Sequence, residues 1–62
     1  MMNEKYVNKI DIILESLRAH MNLLILELKQ GLDDYAEKQL KRIKEDVKEI
    51  EKTFYKGKAK QT

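Results

Sequence analysis

The 62-residue chain has no cysteine, no proline and no tryptophan, and only two glycines and one histidine. Without cysteine there is neither a disulfide nor a thiolate metal site, and one histidine does not make a zinc site alone. With no proline, and glycine only at 31 and 57, little interrupts a helix. No run of about 18 apolar residues is present, so no segment is expected to span a membrane. Met1-Met2-Asn3-Glu4-Lys5 lacks the basic region and apolar core of a secretory leader. A strong excess of one charge is also missing. Thirteen Lys and Arg against eleven Asp and Glu leave +2, too balanced to argue for nucleic acid from net charge alone.

Chemistry-bearing motifs are missing as well. There is no glycine-rich phosphate loop and no Glu-x-x-His. Ser16 has no base within helical reach, which leaves nucleophilic catalysis without support. Glu45, Asp46, Glu49 and Glu51 crowd together but alternate with Lys44, Lys48 and Lys52, the pattern of a solvated charged face rather than an acid–base pair. The expectation is a non-enzymatic, cytoplasmic protein with no cofactor, no metal and no small-molecule substrate.

What the sequence does have is a heptad pattern. Val7, Ile10, Leu14, Leu17, Met21, Leu24 and Leu28 are spaced 3-4-3-4-3-4, a coiled-coil seam on one long helix. Ala36, Leu40, Ile43, Val47, Ile50 and Phe54 continue the same rhythm, spaced 4-3-4-3-4, on a second helix that is otherwise polar. Asn3 suits an N-cap, with Glu4 favoured beside it by the helix dipole. Gly31 suits the left-handed C′ position that ends helices, with Leu32 after it. Asp34-Tyr35-Ala36-Glu37 has capping-box spacing. These signals predict helix 1 over about 3–30, a turn at 31–33 and helix 2 over about 34–55, together one domain over 1–55. Residues 56–62, with three lysines and no large apolar side chain, are expected to be a basic flexible tail.

A link of about three residues makes the helices antiparallel neighbours, so the fold class is all-α, an αα-hairpin. A chain this short buries little of its surface alone, and with disulfides and metals excluded, oligomerisation remains. Self-association as a homodimer, in a four-helix bundle, is the predicted architecture, with the two heptad series as its core seam.

Helix 1 has a second, narrower apolar stripe. Ile12, Ala19, Leu23 and Leu26 fall on roughly the side opposite the seam, separated from it by polar residues that include Ser16 and Glu27. Single exposed apolar residues are ordinary, but three large aliphatics at successive turns form a line. The stripe is therefore a candidate protein-interaction surface, either for the dimer or for another protein. Leu26 has a local alternative, since Leu32 can pack back onto it. His20, at the edge of the seam, reads as a rim residue, a metal ligand or a proton-sensitive contact with its own copy. Lys41, Arg42, Lys48, Lys52, Lys56, Lys58 and Lys60 are candidate nucleic-acid contacts, the last four following one another without an acid.

Size and layout resemble the plasmid copy-number RNA-binding hairpins of the Rop type. That resemblance implies an antiparallel dimer and RNA as a possible ligand. The leading expectation is a regulatory or adaptor protein acting through helix–helix contact, and the alternative is a nucleic-acid-binding hairpin dimer.

Overall fold

The computed structural model describes residues 1–60. It contains two helices packed side by side, α1 (Glu4–Lys29) and α2 (Asp33–Ala59), in a rod of 49 × 14 × 10 Å. Neither helix is long and apolar enough to cross a membrane.

The start of α1 follows from Asn3, whose extended backbone turns its side-chain oxygen back to accept the Lys5 N–H at 2.8 Å. This satisfies one of the free amides of the first turn. Gly31 ends the helix with φ of 73°. The Leu32 N–H donates to the Glu27 carbonyl at 2.8 Å and the Gly31 N–H to Leu28 at 3.1 Å. These two bonds make a Schellman turn, and glycine occupies the left-handed position without a Cβ penalty. α2 begins one residue before the expected start. Leu32 occupies its N-cap position and makes no side-chain bond, so the capping-box spacing at Asp34 is not realised. The Ala36 N–H finds the Leu32 carbonyl at 3.0 Å, and Asp33 and Asp34 supply the acids that the dipole favours.

α2 also ends later than its sequence suggests. It continues through Gly57 to Ala59, so residues 56–59 of the expected flexible tail are helical; Gln61 and Thr62 lie outside the described residues. The reason is packing against α1. A Cβ on Gly57 would lie 3.0 Å from Met2 Sδ and 3.0 Å from Tyr6 Cβ and Cγ. The missing side chain lets α1 press onto the last turns of α2, and the contact supports a helix that propensity alone would let fray.

The line along which the helices meet is shifted from the most apolar line. On α1 it runs Tyr6, Ile10, Ile13, Leu17, His20, Leu24 and Glu27, all buried or half-buried. On α2 it runs Ala36, Gln39, Ile43, Asp46, Ile50, Thr53 and Gly57, likewise buried or half-buried. Both have alternating three- and four-residue spacing, and both mix aliphatic residues with polar or small ones. Ile10, Leu17, Leu24, Ala36, Ile43 and Ile50 belong to this line and to the apolar series. Ala36, at 2% exposure, is the one buried hydrophobic residue among those described.

Candidate functional site

The shift of the hairpin seam determines where the remaining apolar residues point. Val7, Leu14, Met21 and Leu28 each come one residue after a seam residue of α1, namely Tyr6, Ile13, His20 and Glu27. Leu40, Val47 and Phe54 each follow a seam residue of α2: Gln39, Asp46 and Thr53. One residue is a rotation of about 100°. Because the helices run in opposite directions, that rotation carries both series to the same side of the hairpin. Seven apolar side chains, at seven-residue intervals on each helix, therefore share one face. Six are exposed: Val7, Met21, Leu28, Leu40, Val47 and Phe54. Leu14 is half-buried.

The second stripe lies on the opposite face. Ile12, Ala19 and Leu26 each come one residue before a seam residue, and Leu23 comes one before Leu24. All four are exposed, Ile12 at 68%. The neighbouring positions of α2 on that face are Tyr35, Lys38, Arg42, Glu45, Glu49, Lys52 and Lys56, so this stripe has a polar, mainly basic flank. Lys38 Nζ sits 5.2 Å from the Tyr35 ring centroid.

Polar groups divide the seam into levels. His20 Nδ1 and Asp46 Oδ2 are 2.8 Å apart, with side chains 21% and 17% exposed. The Ser16 hydroxyl donates to the same Asp46 oxygen at 3.4 Å. Asp46 is thus drawn out of the acidic cluster and into the hairpin contact. His20 Nδ1 is thus engaged within its own chain. About two turns towards the loop, Glu27 Oε1 and Gln39 Oε1 are buried without a hydrogen-bond partner among the described residues.

The candidate nucleic-acid residues do not form one patch. Lys41 and Lys48 lie on the outer side of α2, away from α1. Arg42 and Lys52 share the face of the second stripe. Lys58 borders the apolar face. Lys56 and Lys60 join Lys5 and Lys9 around a pocket of about 290 Å³ near the chain ends, completed by Tyr6 and Thr53. No acid lines this pocket. Lys5 and Lys9 were not among the sequence candidates. Their signal is positional, since each precedes a seam residue, Tyr6 or Ile10, and it is visible only once the true seam is known.

Comparison of the chain with family models, with curated proteins and with solved structures finds no match.

Proposed function

We propose that this chain is a non-enzymatic regulatory or adaptor protein that works through helix–helix contact. Two hairpins pair through the face of Val7, Leu14, Met21, Leu28, Leu40, Val47 and Phe54, giving a dimeric four-helix bundle. The stripe of Ile12, Ala19, Leu23 and Leu26 then points outward and remains free for another protein.

The observation that carries this reading is that the apolar side chains lie on a face, not in a core. The hairpin alone buries one hydrophobic residue, Ala36, and has no fully buried large side chain among those described. Its surface is 5147 Å², whereas a compact monomer of 7.4 kDa exposes roughly 4,200 Å². The excess, roughly 900 Å², is about what one partner buries in a standard interface. Each helix of a four-helix bundle touches two neighbours and needs a stripe wider than a two-helix seam. α1 and α2 both have that width.

Leu23→Glu separates the duties of the two faces. On this reading the variant remains a dimer with unchanged helicity and loses capture of its protein partner, because a charge forced into an apolar contact is costly unless paired. A Leu23→Glu chain that becomes monomeric would assign the second stripe to the dimer instead.

The lysine pocket supports a second reading, a nucleic-acid-binding dimer. Four cations from both helices, with no acid among them, suit a phosphate backbone. Binding should then weaken steeply with salt, and exchanging Lys5, Lys9, Lys56 and Lys60 for Gln should flatten the slope of log affinity against log salt. No binding at low salt removes this reading.

A further inference from the structure

The charges bordering the apolar face point to how two copies pair, an inference that rests on the dimer reading above. On α2 the rim of that face is Glu37, Lys44, Glu51 and Lys58, each one residue after a seam residue (Ala36, Ile43, Ile50 and Gly57). Acid and base alternate at seven-residue intervals, a pattern that is complementary to its own reverse. Laid antiparallel against a second α2, Glu37 meets Lys58 and Lys44 meets Glu51. In the same register Leu40 meets Phe54, and Val47 meets its own copy.

α1 obeys the same centre independently. Laid antiparallel on its own copy, Val7 meets Leu28 and Leu14 meets Met21, which puts the two-fold level between Leu17 and Arg18. The α2 centre is at Val47. These levels coincide in the folded hairpin, since Ser16 and His20, on either side of Leu17 and Arg18, both reach Asp46, the residue before Val47. One two-fold axis perpendicular to the helices therefore satisfies both helices at once.

The geometry points to a second copy of this chain seated on the apolar face with its turn at the opposite end of the bundle, α1 against α1 and α2 against α2. In the competing arrangement, with both turns at one end, α2 packs on the partner's α1. It is equally apolar, but its rims clash: Glu51 falls opposite Asp11 and Lys44 opposite Arg18. The favoured arrangement has a single like-charge approach, Arg18 to its own copy, against four Glu–Lys pairs across the interface. Charge placement of this kind selects orientation more than it adds affinity.

The chain's lack of cysteine allows a direct test. A spin label on Gln30→Cys, exposed beside the turn, reports the distance between the two turns once sedimentation has established the dimer. α1 spans 26 residues, about 39 Å at 1.5 Å per residue, so a label separation near ~40 Å is expected. A separation under about 20 Å, the span of neighbouring helices, overturns the arrangement but leaves the dimer standing. A monomer in sedimentation overturns both.

A charge exchange checks the register without a label. Glu37→Lys with Glu51→Lys makes an all-lysine rim, and Lys44→Glu with Lys58→Glu an all-glutamate rim. The mixture should associate more tightly than either variant alone, by on the order of tenfold. Equal association of the mixture and the separate variants contradicts the pairing.

Discussion

Among the individual residues, the polar groups of the seam divide into those that find a partner and those that do not among the described residues. Asp46 is met by His20 and Ser16 in a part-buried setting. His20→Leu removes the closer partner and should cost about 1–3 kcal/mol in chemical denaturation, the usual cost of stranding a buried acceptor. Replacing both, His20→Leu with Asp46→Leu, should recover that loss, because an apolar pair is often as stable as the polar pair it replaces. A single variant as stable as the parent contradicts this account. Glu27 and Gln39 show the opposite case, a buried oxygen with no partner among the described residues. Glu27 also sits near the negative end of the α1 dipole, where an acid is unfavourable. Glu27→Leu and Gln39→Leu should each raise the melting temperature. A fall in either case would mean that these oxygens gain a partner on assembly.

At the scale of the elements, the two helix starts and the turn show what was legible and what was not. Asn3, Glu4, Gly31 and Leu32 carry local signals, because caps and left-handed turns depend on one or two side chains. The helices, their antiparallel order and the all-α class could therefore be read directly. The meeting line could not. Hydrophobic periodicity selects the most apolar stripe, whereas the hairpin contact also uses Tyr6, His20, Glu27, Gln39, Asp46, Thr53 and Gly57, which are polar, aromatic or small. Half of the apolar series, including Ile10, Leu17, Leu24, Ile43 and Ile50, belongs to the seam, and the other half lies on one outer face. Sequence alone ends helix α2 too early because Gly57 looks like a breaker, while its role is close approach. Gly57→Leu should therefore separate the first turns of α1 from the last turns of α2, seen as faster amide exchange over Tyr6 and Thr53 while the turn at Gly31 stays protected. Unchanged exchange would show that the close contact with Tyr6 is not needed.

At the scale of the whole molecule, the proposed dimer makes this rod, with one buried hydrophobic residue among those described and seven apolar side chains on one face, half of a bundle. Its stability is then tied to its association, and anything that weakens the face lowers both. Leu17→Ala or Leu24→Ala, in residues half-buried in the hairpin and adjoining that face, should cost about 2–5 kcal/mol each, enough to unfold a marginal bundle. Val47→Glu, on the exposed face at the two-fold centre, should shift the protein to monomers, while Ile12→Glu on the other face should not. The central claim is that the hairpin folds with a second copy of itself. Sedimentation equilibrium combined with melting over a range of protein concentrations tests it most directly. The account predicts a mass near twice 7.4 kDa and a melting temperature that rises with concentration. A folded monomer at micromolar concentration, with a melting temperature independent of concentration, would contradict it.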